Sequence, residues 1–365
     1  MLFHRPRRAI ALPGLLCLFL LYGAHAALAS AAESRPANTT AQQPHIALLL
    51  PLHSKIFGTY AAAVRDGCRA AFAQTRALLP VREYAVATET GSVLEAYRTA
   101  LAAGAQVVVG PLTRDAVTAL VSGEPVPVPT LALSAPDVSG PMPGNLYILA
   151  LQVETEARQV ARLAWQAGHR NATTVSSPNL LQRRMQAAFA AEFTRLGGTV
   201  IADLPFSADA AGLEALSRAT ASTDLFFLAL DFTEARLARS YLGAVPAYAT
   251  STVHAVNPGT LAGFDLAGVT FVDMPWLLAP DHAAVMIYPR ASRGAADLER
   301  LYALGIDACR IVQLLLAGAR DIRLDGVTGQ LSLEADGRFE RELSVGRYRD
   351  GIPRLVAPAA RESTR

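Results

Sequence analysis

Lysine is nearly missing from this 365-residue chain: Lys55 stands alone among 33 basic side chains, and the rest are arginine. Cysteine is scarce too, with Cys17, Cys68 and Cys309 the three present. There is no CxxC pair and no His/Cys group at metal-ligand spacing, which argues against a zinc site or a thiol redox motif, so neither metal nor cofactor is expected. A GxSxG elbow, a P-loop, an HExxH and a GxGxxG following a strand are all lacking. His45, His53, His169, His254 and His282 are scattered over loops, and no triad can be drawn from them. The expectation is therefore a protein that binds rather than catalyses. Charge of one sign is lacking as well: 33 basic residues face 31 acidic ones, a net +2. With no basic patch, nucleic acid is not an expected partner.

One long apolar run is present. Arg5, Arg7 and Arg8 precede the apolar stretch Ala9–Ala29, which contains Pro13 and Gly14 and ends in the small-residue patterns Ala24-His25-Ala26 and Ala27-Leu28-Ala29. This is the pattern of a secretory signal peptide over residues 1–29. Its removal takes three arginines and leaves 30 basic against 31 acidic side chains, a net −1. Cys17 follows Leu15-Leu16 rather than a small residue, a poor lipobox. The expected location is the periplasm, with membrane association only if the protein is lipidated or the leader is retained. Residues 30–44, polar and proline-bearing, read as a disordered linker, and 359–365 as a tail.

From His45 onward the chain repeats one pattern. Short apolar runs such as Ile46–Leu52 have no polar alternation and read as strands buried on both faces. Each is followed by a small or polar loop and an amphipathic helix. Strands are expected at Val81–Thr88, Gln106–Val109 and Pro127–Leu133, making a four-stranded first lobe. Asn145–Ala150 is expected to carry the chain into a second lobe of the same kind, with strands near Ala172–Val175, Thr199–Leu204, Leu225–Leu230, Ala247–Ser251 and Val269–Met274. A late helix, Leu298–Ala317, bears a wide apolar face that must pack on a sheet. Val327–Val356 alternates as hairpins with turn signals at Asp336-Gly337 and Asp350-Gly351. The fold class is α/β, with two flavodoxin-like lobes joined by a hinge: lobe 1 at 45–145 and 282–325, lobe 2 at 146–281 and 326–358.

Two α/β lobes in this order resemble the type I periplasmic-binding-protein fold, in which Ile46–Leu52 and Val109-Gly110-Pro111-Leu112 are at home. Four later segments are more particular: Pro246–Ser251, Asp273–Leu278, Arg300–Ala308 and Gly326–Ser332. These resemble the C-terminal domain of the penicillin-binding-protein activator family, the LppC-type lipoproteins, over about His45–Val356. The resemblance implies a non-enzymatic regulator of peptidoglycan synthesis whose partner is a class A penicillin-binding protein. The N-terminal helical-repeat domain carried by many family members is not expected here. The alternatives are a solute-binding protein of an ABC transporter for amino acids or small peptides, and an envelope sensor domain.

Candidate positions follow from the strand ends, where such folds hold ligands. Ser54 and Lys55 lie in the first strand-to-helix loop, where amino-acid-binding relatives hold a carboxylate. Thr113 and Ser134 follow the third and fourth strands. Ser177 and Asn179 face them from the second lobe, although turn and helix-capping roles suit both. Ser251 and Asp273 complete the set, with Asp273 and Trp276 in a segment that either orients the hinge or lines the cleft. A small-molecule ligand between the lobes is compatible with these positions. Cys68 and Cys309 fall on buried helix faces on one side of the sheet, either as a disulfide or as two separate thiols.

Overall fold

The computed structural model describes residues 42–356 apart from 88–89, 124, 139, 257, 259–260 and 291–293. The leader, Cys17, most of the linker and the tail lie outside the described residues. The first lobe runs β1 (His45–Leu50), α1 (Gly58–Gln74), β2 (Val81–Ala85), α2 (Thr90–Ala102), β3 (Ala105–Val109), α3 (Arg114–Gly123), β4 (Thr130–Ala132) and β5 (Leu146–Ile148). β1 is buried along its whole length, as a central strand with both faces covered requires. The five strands are parallel in the order β2-β1-β3-β4-β5. This corrects two expectations. The lobe has five strands, and Leu146–Ile148 does not leave it: its backbone finds partners along β4 before the chain crosses over.

The second lobe runs α4 (Val153–Gln166), β6 (Asn171–Ser176), α5 (Leu180–Arg195), β7 (Thr199–Pro205), α6 (Ala210–Ala219), β8 (Leu225–Ala229), α7 (Phe232–Arg239), β9 (Ala247–Ala249) and β10 (Thr270–Asp273). Its parallel strands repeat the first order, β7-β6-β8-β9-β10. The chain continues through α8 (Pro275–Leu278), α9 (Ala283–Met286), α10 (Ala296–Leu316), β11 (Arg323–Asp325), β12 (Gln330–Leu333), β13 (Phe339–Glu342), β14 (Ser344–Arg349) and β15 (Ile352–Leu355). β14 extends the second sheet antiparallel to β10, and β15 pairs antiparallel with β14 at its edge. β12 and β13 do not join the second sheet, as their assignment to that lobe implied. With β11 they make a separate three-stranded antiparallel sheet, tied to the first lobe by a bridge between Ile148 and Arg338. Both turn signals hold, and at the second both Asp350 and Gly351 take positive φ, 52° and 74°.

The late helix α10 packs on α1 of the first lobe. The backbones meet at glycine: a Cβ on Gly305 would lie 2.0 Å from the Val64 carbonyl oxygen, and one on Gly67 equally close to that of Tyr302. Cys68 and Cys309 sit at this crossing as a disulfide, with Cα atoms 5.2 Å apart and 241 residues between them in sequence. A cross-link over so long a loop typically contributes about 2–4 kcal/mol by restricting the unfolded chain. One apolar core continues from the α1–α10 crossing through Trp276 and Val327 to Phe189 and Phe227 of the second lobe. Tyr60, in the first turn of α1, is 40% exposed.

Candidate functional site

A cleft of about 560 Å3 opens at the carboxyl ends of the first-lobe strands. This is where the β2-β1-β3 order reverses direction and leaves a crevice. Thr113 and Ser134 line it, at the ends of β3 and β4. Its walls are otherwise mainly apolar, with Leu112, Leu133, Leu151, Leu181, Leu301 and Leu304 among them. The second lobe contributes Leu181 and Arg184 from α5, and Arg184 is ion-paired with Glu154 at the crossover. Ile56, on the loop before α1, and Leu180, the first residue of α5, are 71% and 66% exposed.

The other predicted positions do not line this cleft. Ser54 is buried, and its Oγ accepts from the Ile56 and Phe57 amides at 3.2 and 3.0 Å, so the hydroxyl is spent on the turn entering α1. Lys55 is exposed beside it. Asn179 caps α5, its side-chain oxygen accepting from the Gln182 amide at 3.1 Å. Ser177 is buried with its Oγ unpartnered in the structure. Ser251 and Asp273 belong to a different assembly.

That assembly is a buried cluster of charges behind the cleft, where three parts of the chain cross between the lobes. Asp273, at the end of β10, is 1% exposed. Its carboxylate accepts from Arg300 Nη2 at 2.8 Å and Nε at 3.2 Å, and from His254 Nδ1 at 2.8 Å. Arg300, on α10, also donates to the Ser251 carbonyl at 2.9 Å. The Ser251 amide donates to Glu156 Oε2 on α4 at 3.1 Å, and Glu156 Oε1 meets Arg341 of β13 at 3.4 Å. Burial alone would raise the Asp273 pKa, but Arg300 and His254 more than reverse it and hold the carboxyl well below the usual range. Burial likewise opposes the charge on Arg300, and Asp273 overrides it and pushes that pKa up.

Two further contacts fasten α10. Trp276 Nε1 donates to Glu299 at 2.8 Å. Fully buried Asp307 accepts from the Val327 and Thr328 amides at 3.1 and 2.8 Å and from the Thr328 hydroxyl at 2.7 Å. Here burial wins over Arg310 and these donors, and the Asp307 pKa is raised. A Cβ on Gly326 would lie 2.5 Å from the Asp307 carboxylate, which is why this loop needs glycine there. Sequence reasoning missed Arg300, Glu156, His254 and Asp307 as one connected group. The signal was present as an arginine and an aspartate seven residues apart, on one face of a helix with a wide apolar stripe, and buried charges need partners. Among the described residues, no group of His, Cys, Asp and Glu is placed to hold a metal ion, and no helix is long and apolar enough to cross a membrane.

The family described as "LppC putative lipoprotein" matches residues 31–211 and 206–351. A relative from Haemophilus influenzae named penicillin-binding protein activator LpoA is 28% identical over 328 residues, 86% of this chain and 55% of its own length. The chain spans about half the length of the curated relatives it matches. Among solved structures, the C-domain of H. influenzae LpoA, described as a regulator of PBP1A, aligns with a TM-score of 0.73 at 26% identity, covering 86% of this chain and 99% of that domain. A Chromobacterium violaceum structure described as a "putative branched-chain amino acid ABC transporter" aligns at 0.71 and 40% identity, covering 84% of this chain and all of that one. These neighbours establish the two-lobed type I periplasmic-binding-protein fold.

Proposed function

The chain belongs to the LppC lipoprotein family, and we propose on that footing that it is a periplasmic, non-enzymatic regulator that binds a class A penicillin-binding protein and stimulates its transpeptidase in peptidoglycan synthesis. The observation that carries this reading is the full-length match to the C-domain of a PBP1A regulator. Two features of the cleft support it. A free amino acid needs donors for its carboxylate and acceptors for its amine from both jaws. Here the serine in the first loop is already used by its own turn, and the second jaw offers Val153 and Leu181 with Glu154 and Arg184, whose charges are paired with each other. The buried charges between the lobes also resist the hinge closure by which solute-binding proteins grip a ligand. A protein surface, by contrast, needs exposed apolar contacts with a polar rim, and Ile56 and Leu180 with the leucines inside supply the first.

The rival reading, a solute-binding protein for amino acids or small peptides, is favoured by one observation, the 40% identity to the C. violaceum structure. A pulldown from detergent-solubilised envelopes with the tagged mature protein separates the two. The proposal expects a class A penicillin-binding protein among the recovered proteins and faster peptide cross-linking when the two are mixed. Recovery of none, together with a thermal shift on adding leucine, isoleucine or valine, reverses the choice.

A further inference from the structure

A second trough adjoins the cleft, sharing Ala150 and Gln152 with it, and runs between α4 and the three-stranded sheet, with a volume of about 610 Å3. Its floor is built from arginines. Arg158 and Arg162 stand one helical turn apart on α4, and Arg341 reaches in from β13. The Arg341 side chain is 5% exposed, yet its contacts are long: 3.4 Å to Glu156 and 3.5 Å to the Thr328 carbonyl. A guanidinium has five donors, and burying it costs free energy unless they are used. Burial indeed pulls its pKa down, with Glu156 opposing. Arg158, half-buried, has the Thr155 hydroxyl at 3.3 Å and, among the described residues, no carboxylate within ion-pair distance. Arg162 has Glu192 at 3.4 Å, but that carboxylate is already engaged by Arg195 through two bonds of 2.8 Å. The acids of the trough, Glu334, Asp336 and Glu340, are exposed on its rim, and Asp336 is paired with Arg338 at 3.2 Å.

We propose that this trough binds a short peptide bearing a carboxylate, which sits on Arg158, Arg162 and Arg341 while an amine of the same ligand meets Glu334 and Glu340. Three guanidinium groups with spare donors at the floor and, at the mouth, two carboxylates with no cation partner among the described residues form a graded field, and a zwitterionic ligand is the chemistry that answers both ends. Planar guanidinium pairs are the usual means of holding carboxylates. Its arginines do not line the cleft, whose own are Arg114 and Arg184, and the proposal does not depend on which partner occupies the cleft.

The test uses the whole mature protein and two probes, L-alanyl-L-glutamate and the same dipeptide with both carboxyls amidated, followed by calorimetry and by the Nε–H signals of arginine in NMR spectra. Saturable binding of the acid form is expected, weaker at high salt, with none for the amide. Arg158→Gln with Arg162→Gln should weaken it about tenfold or more, while Arg184→Gln in the cleft leaves it unchanged. If the double variant melts at a lower temperature, Arg158→Gln alone is used, with the same direction expected. Absence of saturable binding at millimolar dipeptide, equal binding of the amide, or sensitivity to Arg184→Gln instead of Arg158→Gln overturns the proposal.

Discussion

The cleft and the hinge behind it are built in opposite ways from neighbouring residues. In the cleft, Thr113 and Ser134 stand among leucines, while Ser54 and Asn179 at other strand ends are consumed by a turn and a cap. The second lobe shows this most clearly: Asn179, Asp209 and Asp231 each cap a helix from its own strand-end loop, the last with a reciprocal bond to Glu234. Behind the cleft, Asp273, Arg300, His254, Glu156 and Arg341 are all nearly buried and hydrogen-bonded to each other or to backbone. The front of the molecule thus offers apolar surface with few specific polar groups, and the back spends its charges on itself. Such a division suits a frame that holds one shape and presents a surface. Buried ion pairs are seldom the cheapest way to gain stability, but they fix geometry where two elements have alternative ways to pack.

The sharpest way to break that contrast is at Arg300. Arg300→Met leaves Asp273 buried without its cation, and a loss of about 3–5 kcal/mol is expected on unfolding in denaturant. Replacing both members, Arg300→Met with Asp273→Leu, should recover much of that loss, because no uncompensated charge then stays inside. If the single change costs under about 1 kcal/mol, the cluster is not what fixes the hinge.

Much of this was legible in the residues. The buried strands, the helix faces and the turn at Asp350-Gly351 follow from local patterning, and the four segments that carry the family resemblance were visible one by one. What they do together was not. Pro246–Ser251 supplies the Ser251 backbone, Asp273–Leu278 supplies Asp273 and Trp276, Arg300–Ala308 supplies Arg300, Gly305 and Asp307, and Gly326–Ser332 supplies the loop held by Asp307. The contacts between them span up to 51 residues in sequence, from the Trp276 amide to the Val327 carbonyl, and periodicity carries no information at that range. The lobe boundary failed for a related reason. Leu146–Ile148 is too short to show whether it pairs with the strand before it or the one after it, and β4 decides the matter through the backbone.

Acid sharpens the comparison within the hinge itself. Asp273 has a lowered pKa, so its contribution is fully present above the ordinary carboxylate value near 3.9 and is lost as pH falls below that value toward the folded one. Asp307 has a raised pKa and acts with the opposite sign: its contribution is present below the ordinary value and is lost as pH rises through the folded one. Unfolding free energies measured from pH 3 to 7 should therefore fall at the acid end in the parent protein, and Asp273→Asn should remove part of that fall. Asp307→Asn should instead flatten the part of the profile above the ordinary carboxylate value. The acid effect is expected to be smaller than that of Arg300→Met, because at pH 3 Asp273 is still largely ionised whereas the substitution removes its partner at every pH. An acid limb unchanged by Asp273→Asn would place the titrating groups outside the hinge.

The smallest change in stability is expected in the cleft, and that smallness carries information. Ser134→Ala and Thr113→Val remove hydroxyls from a wall where no buried partner depends on them, so each should shift unfolding by no more than about 0.5 kcal/mol. Leu181→Asp places a charge on a 43% exposed position of α5 and should also leave the fold intact. Binding should separate these variants where stability does not. A docking partner that reads apolar surface loses affinity with Leu181→Asp and tolerates Ser134→Ala, whereas a small ligand held by hydroxyls behaves the other way round, since a polar group it needs has gone. Measuring both variants against the recovered penicillin-binding protein and against leucine on the same preparation therefore tells a surface from a solute site without relying on the fold, which serves both.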